Sequence, residues 1–479
     1  MLSSMTAPPI TRPPQRCPSP VMVPSNSSKR SNPLFFPILF LLLVGSSNIF
    51  LINRRISIQN GSEQNLVGLR DVALVALIVV GMPSSKKLLE LMRLGAIKVC
   101  LGVVGLTLAA AVYAILSDRP LSQVANELAG LIAWVLPIIV AANLKTLSSI
   151  EQCHRMLVGL GIVVSILSLA EVVLKVPLVT GVTADTVSRV GGINSRSTPS
   201  CWPLMIIAYG SLLIGLSARR SNSAIGVLTR AVALLIVTFA LLMTQARTLL
   251  VGMVACLLGA MLIARTRRTR ILLLGVGLAM PLTLTVTAAI GTAVLTPQFA
   301  DSYTRRYAVL MGIDAINEYA PQDGRVAEIR SGLDHWSEWL WVGKGLAASY
   351  RDQMYTDERH GGGQMAHNIL LYFGTRFGVL GMALFLLFGG AICSLLYRAS
   401  HSPRPYNAVA LCLGVDLVSL LVTSMFGNVF AMPYMAQVAM VAFGCLVAWG
   451  VWNAQFKGRA FVRRRGTTQS HSGVLPMNL

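Results

Sequence analysis

The 479-residue chain reads as an all-α polytopic membrane protein, and three observations predict it. Apolar residues make up 54% and charged residues 12% of the chain, about half the usual charge of a globular protein, so most of the surface does not face water. About twelve stretches approach the ~20 apolar residues that a spanning helix needs. Basic residues outnumber acidic ones 40 to 19 and cluster between alternate stretches, as expected of loops kept in the cytoplasm. The cationic excess is therefore a topology signal, and no nucleic-acid partner is expected.

The stretches run near 34–52, 65–83, 95–116, 124–144, 156–176, 202–217, 225–244, 248–264, 271–295, 378–397, 406–426 and 431–452. Arg70 and Asp71 interrupt the second. Lys29–Arg30, Lys86–Lys87, Lys145 with Arg155, Arg219–Arg220, the run from Arg265 to Arg270, Arg398 with Arg404, and Arg459 to Arg465 fall on one side, so both termini are cytoplasmic. Arg54–Arg55 is one local breach of this rule. Residues 1–32, rich in Pro and Ser, form a disordered cytoplasmic tail; 33–295 hold helices one to nine. A large outer loop, 296–367, carries an amphipathic helix; 368–452 hold helices ten to twelve and 453–479 a basic cytoplasmic tail. Lys29 to Ser47 has the order of a signal peptide, but its apolar run is long enough to be a retained first helix. The eight cysteines show neither CxxC nor Cys/His ligand spacing, so neither structural metal nor disulfides are expected.

Polar residues that are costly beside a membrane concentrate on the outer face. Arg247, in Thr244-Gln-Ala-Arg247, sits at a joint of about three residues between two spans and points either to lipid phosphate or inward. The loop 177–201 carries Arg189-Val-Gly-Gly192 and Arg196; adjacent glycines and arginines can cradle an anion, although a solvated loop has the same composition. From Arg325 to Leu340, Val326, Ile329, Leu333, Trp336 and Leu340 recur at helical spacing, with Glu328, Arg330, Asp334, His335 and Glu338 opposite. Trp336, Trp339 and Trp341 would settle this helix at the headgroup level. Gly361-Gly-Gly363 then leads to His367-Asn368, with Gly378-Val-Leu-Gly381 opening the next span. An imidazole can exchange a proton near neutral pH; beside Asn it can equally be a hydrogen-bonded cap.

These residues resemble the O-antigen ligase and polysaccharide-polymerase family of bacterial inner membranes. His367, Asn368, Leu371, Gly378 and Gly381 fit its His-Asn signature position for position, and Gly324-Arg325 followed by Gly343-Lys-Gly345 fits its upstream spacing. Arg189-Val-Gly-Gly192 resembles its Arg-x-Gly-Gly loop. Thr244-Gln-Ala-Arg247 resembles its Thr-x-Ser-Arg motif with Ala246 in place of Ser, and Ile329 stands where the family has an aromatic. The resemblance covers roughly residues 185–385.

The resemblance implies glycan transfer from an undecaprenyl-diphosphate carrier to an acceptor glycan hydroxyl at the periplasmic face, with membrane lipid and polysaccharide assembly and chain-length proteins as partners. His367 would be the general base. Arg247 would be catalytic with it, and Arg189, Arg247, Arg325 and Arg330 would bind the diphosphate, with Asn368, Gly378 and Gly381 in support. No cofactor or metal is expected, because the first outer loop, 53–64, has only Glu63 where metal-using enzymes on such carriers show paired carboxylates. Between Pro297 and His367 ten acidic residues face seven basic ones, and this net −3 is poorly suited to draw in phosphate-rich lipid A-core. The expectation is thus a repeat-unit polymerase, with ligation to lipid A-core as the alternative. A flippase or transporter is the further alternative, and Asp416, Glu127 and Glu171 within apolar stretches are its support.

Overall fold

A computed structural model describes residues 32–47, 56–60, 63–67, 69–174, 178–179, 202–217, 224–244, 247–264, 266–294, 329, 332–348, 368–403 and 406–469. The described fold is a bundle of apolar helices. In chain order they are α1 (Phe35–Ser46), α2 (Leu69–Gly81), α3 (Ser85–Leu91), α4 (Gly95–Leu116), α5 (Leu121–Leu131), α6 (Leu136–Asn143), α7 (Leu147–Leu174), α8 (Trp202–Ser217), α9 (Ala224–Met243), α10 (Arg247–Ile263), α11 (Arg267–Val294), α12 (Trp336–Trp339), α13 (Ile369–Ser400), α14 (Ala408–Ser424) and α15 (Pro433–Gln469).

By length and composition, six helical segments among the described residues can cross a membrane: α4, α5 joined to α6, α7, α9, α13 and α15. The pair α2 and α3, bent by 100° at a break containing Pro83, makes a seventh if it counts as one span. Shorter apolar helices lie in α1, α8, α10, α11 and α14, so every apolar stretch of the sequence coincides with a helix. Large apolar side chains such as Val79, Leu116, Leu228, Leu262 and Leu386 point outward, the surface expected of a protein solvated by lipid.

Three local features depart from the sequence reading. Between α1 and α2 lies an antiparallel hairpin, β1 (Ile56–Asn60) and β2 (Glu63–Val67), with Asn60 opposite Glu63. Its two connecting residues, Gly61-Ser62, are of the kind that short hairpin loops favour. The fourth apolar stretch is broken: a 3₁₀ turn, Ile132–Val135, separates α5 from α6, where Pro137 has no N–H to continue the helical ladder. The amphipathic helix expected over 325–340 is, among its described residues, two short turns interrupted at His335. Gly332, inside that pattern, lowers its helical preference by about 1 kcal/mol relative to Ala.

Buried charge is absorbed by packing. Arg70 pairs with Asp71 and lies 4.2 Å over the Tyr434 ring, so the interruption of α2 is covered by α15. Asp416, fully buried on α14, accepts a hydrogen bond from Ser211 Oγ of α8 at 2.8 Å, and His154 Nε2 of α7 lies 2.8 Å from the same hydroxyl. Gly210 makes room for this carboxylate, since a Cβ there would overlap Asp416 Oδ1. Asp416 thus ties three helices together. On the side where α13 begins, Trp134 packs against Phe373, Phe388 and Phe430 and donates its indole N–H to the Phe430 carbonyl at 3.0 Å. This aromatic cluster braces the site.

Candidate functional site

The first turns of α13 are built by the residues of the His-Asn signature. Asn368 caps the helix: its Oδ1 accepts from the Leu371 N–H at 3.1 Å, filling one of the donors that every helix start leaves open. Its Nδ2 donates to the Met425 carbonyl at 3.1 Å, fastening the cap to the end of α14. Leu371 is buried under Gly332, where a Cβ would come within 2.6 Å of it. The Asn and the Leu of the motif therefore set where this helix starts and what lies over it.

Gly378 breaks the helix, with φ 67 and ψ −159 inside α13. That region of backbone space is essentially restricted to glycine. In an unbroken helix Thr375 and Arg376 would lend their carbonyls to the N–H groups of residues 379 and 380. Here they accept from Lys344 N at 2.7 Å and Gly345 N at 3.1 Å, while Val379 N donates to the Leu340 carbonyl at 2.5 Å. The segment 340–345 thus satisfies what the break exposes, as backbone inside a membrane bundle requires. Contact is close on both sides: a Cβ on Gly343 would lie 2.5 Å from the Arg376 carbonyl, and one on Gly378 would lie 2.5 Å from the Trp341 carbonyl. Gly381 completes the corner, where a Cβ would lie 2.8 Å from the Phe373 carbonyl.

Upstream, Trp339 is buried against Gly374 and donates to the Gly332 carbonyl at 3.0 Å. This corrects the expectation that all three tryptophans sit at the headgroup level; Trp336 and Trp341 are exposed, but Trp339 finds its acceptor inside the protein. Glu338 accepts from Lys344 Nζ at 2.6 Å, which, with a weaker contribution from His335, holds its carboxyl below the usual range.

Downstream, five consecutive residues are fastened. Beyond the bonds of Lys344 and Gly345, the Leu346 carbonyl accepts from Arg119 Nη1, Ala347 N donates to Glu127 Oε2 at 3.1 Å, and the Ala348 carbonyl accepts from Arg376 Nη1 at 2.6 Å. Arg376 Nη2 closes the set on Glu127 Oε1 at 2.6 Å, with both side chains almost wholly buried. Arg119 lies 5.7 Å over the Tyr113 ring, and burial is the main influence lowering its pKa. Ala347 takes a left-handed φ of 56, which L-residues adopt at a cost of roughly 1–2 kcal/mol, and the surrounding bonds hold it there.

Of the expected site residues, Asn368, Gly378 and Gly381 belong to this corner. Arg247 is the first residue of α10, after the three-residue joint that follows α9; its side chain lies outside the described residues, as do His367, Arg189, Arg196, Arg325 and Arg330. Sequence reasoning missed Arg119, Arg376 and the role of Glu127. The available signal was a pair of opposite charges, Glu127 inside one apolar stretch and Arg376 beside another, where an ionised group needs a partner.

No curated protein matches the chain. Residues 232–386 match the family described as O-antigen ligase, about a third of the 479 residues. The matched region starts within α9, includes the joint at Arg247, and ends just past the Gly378 corner. By this match, residues 232–386 are similar to the O-antigen ligase family.

Proposed function

We propose that the chain is a polysaccharide polymerase, joining undecaprenyl-diphosphate-linked repeat units at the periplasmic face of the inner membrane. In this reading all twelve apolar stretches cross the bilayer, both termini are cytoplasmic, and 296–367 is periplasmic. The acceptor hydroxyl attacks the anomeric carbon of the donor glycan, His367 takes the hydroxyl proton, and the bond from that carbon to the diphosphate breaks. Negative charge grows on the departing diphosphate, so guanidinium groups stabilise the transition state more than the ground state. Arg247 and Arg189 are assigned that role, with Arg325 and Arg330 as further diphosphate contacts. Neutralisation by arginine makes a divalent ion unnecessary.

The observation that carries the reading is the family match over 232–386, together with the corner at its end, where Gly343 and Gly378 interlock beside the Asn368 cap. The net −3 of 297–367 favours a lipid-linked glycan acceptor over phosphate-rich lipid A-core. Ligation is the second reading, because the matched family is described as O-antigen ligase. Deleting the gene and analysing lipid-linked and surface glycans separates them. Single repeat units on the surface indicate a lost polymerase, whereas long chains stranded on the carrier indicate a lost ligase. Unchanged glycans on both would contradict the transferase reading altogether.

A further inference from the structure

Three side chains from three helices form a hydrogen-bonded row inside the bundle: His154 of α7, Ser211 of α8 and Asp416 of α14. Ser211 Oγ stands in the middle, 2.8 Å from His154 Nε2 and 2.8 Å from Asp416 Oδ2. The order differs from that of a nucleophilic triad, in which the imidazole lies between hydroxyl and carboxylate. A serine between the two titratable groups has another use. Its hydroxyl donates one hydrogen bond while accepting another, so a proton can enter at one side as a different one leaves at the other.

The two ends of the row are unequal. Asp416 is fully buried, and its Oδ1, packed toward Gly210 beside Cys256 Sγ, has no hydrogen-bond partner among the described residues. His154 lies about two turns into α7 and is only partly buried. The row is therefore open where α7 begins and closed at the carboxylate. Cys256 of α10 and Cys412 of α14 itself also face Asp416, Tyr209 of α8 lies beside Cys256, and Arg155, exposed and paired with Glu151, flanks His154. Among the described residues no Lys or Arg pairs with Asp416, and no ionisable side chain of α13 or α15 is hydrogen-bonded to it. An ionisable side chain within membrane helices is costly and marks proton or ion pathways far more often than packing. Packing alone does not call for a carboxylate here, because an asparagine at 416 would accept from Ser211 equally well.

We propose that His154, Ser211 and Asp416 form a proton-storage site, loaded and emptied through His154. A proton from solvent first makes His154 an imidazolium. As its Nε2–H bond breaks, that proton bonds to Ser211 Oγ, and the proton already on Oγ moves to Asp416 Oδ2. The row ends as neutral imidazole, hydroxyl and carboxylic acid, and the reverse steps return the proton to solvent. Nε2, Oγ and Oδ2 stay paired throughout, with only the direction of the two hydrogen bonds reversed. Because Oδ1 has no onward partner among the described residues, the site holds a proton and does not pass it across the bundle. The inference is independent of the transfer reaction and of its assigned residues.

The test is infrared difference spectroscopy of the carboxyl C=O stretch after a pH jump, on full-length protein in lipid nanodiscs. Wild type is expected to show a carboxyl band that grows as pH falls, shifts in D₂O and is lost in Asp416→Asn. His154→Phe and Ser211→Ala break the row at its entrance and middle. Each is expected to slow growth of the band about a hundredfold, the lower end of what a positioned proton-transfer group contributes. Ser211→Thr keeps a hydroxyl and is expected to restore the wild-type rate. If no pH-dependent band disappears in Asp416→Asn, Asp416 keeps one charge state and the proposal is overturned. Wild-type rates in both His154→Phe and Ser211→Ala would overturn it too, because the proton then reaches Asp416 by another route. Should Asp416→Asn not fold, displacement of the band in Asp416→Glu assigns it; should Ser211→Ala not fold, His154→Phe alone decides.

Discussion

Arg376 Nη2 lies 2.6 Å from Glu127 Oε1, joining residues 249 positions apart in the chain across the start of α13. Both side chains are excluded from solvent, so their opposite charges face each other in a low-dielectric interior. Removing one partner leaves an uncompensated buried charge, a loss of about 3–5 kcal/mol. Glu127→Ala is therefore expected to lower the melting temperature in detergent markedly. An unchanged melting temperature would show that the pair contributes little to the fold.

The exposed pair Lys344–Glu338 gives the contrasting case. Solvent screens it, so Glu338→Gln is expected to leave the melting temperature unchanged. Its pH dependence has a definite sign. Because the Lys344 hydrogen bond depresses the Glu338 pKa, the bond is fully present above the ordinary carboxylate range and is lost as pH falls through the lowered folded value. Titrating the Glu338 carboxylate by NMR, with and without Lys344→Met, checks this; a pKa unmoved by the substitution would contradict it.

Gly378→Ala is expected to destabilise the protein through both backbone strain and contact. Its φ of 67 with ψ −159 is costly for any L-residue, on the order of 1–3 kcal/mol, and the new methyl would meet the Trp341 carbonyl. Thermal unfolding and monodispersity of the purified variant measure this. Wild-type stability would mean that the corner can relax without glycine.

Asn368 has two separable jobs. Asn368→Asp keeps an oxygen to cap Leu371 N but loses the donor to the Met425 carbonyl, whereas Asn368→Ala loses both, the cap alone being worth about 1 kcal/mol. The expected order of stability, by denaturant or heat, is wild type, then Asp, then Ala. Equal stability of Asn and Ala would remove the cap from the account.

Transfer activity is expected to survive a chelator, since arginine side chains are assigned the diphosphate charge. Assay of purified protein in EDTA tests this. Activity lost in EDTA and restored by Mg²⁺ or Mn²⁺ would contradict it.

Much of the helical layout was legible because apolar stretches of spanning length leave few alternatives, and each coincides with a helix. The His-Asn and glycine signatures were legible as motifs, but their physical roles were not. That Gly343 approaches Arg376 and Gly378 approaches Trp341, or that Lys344 and Gly345 fill the carbonyls freed by a kink, depends on contacts about 30 residues apart that no local periodicity encodes. The apolar spacing over 325–340 suggested one helix with three tryptophans at the interface. Trp339 instead follows a small-residue gap at Gly374 on another element, information absent from its own segment. Arg376 was hidden for a similar reason: its meaning lies in Glu127, far away in sequence.

The central claim is that His367 and Arg247 act together on a lipid-linked glycan. The most direct measurement is transfer by purified protein supplied with a polyprenyl-diphosphate-linked repeat unit, comparing wild type with His367→Ala and Arg247→Lys. The account predicts product from wild type, loss of turnover for His367→Ala, and strong impairment for Arg247→Lys, which keeps charge but not the planar fork. Near-normal product from either variant would contradict it.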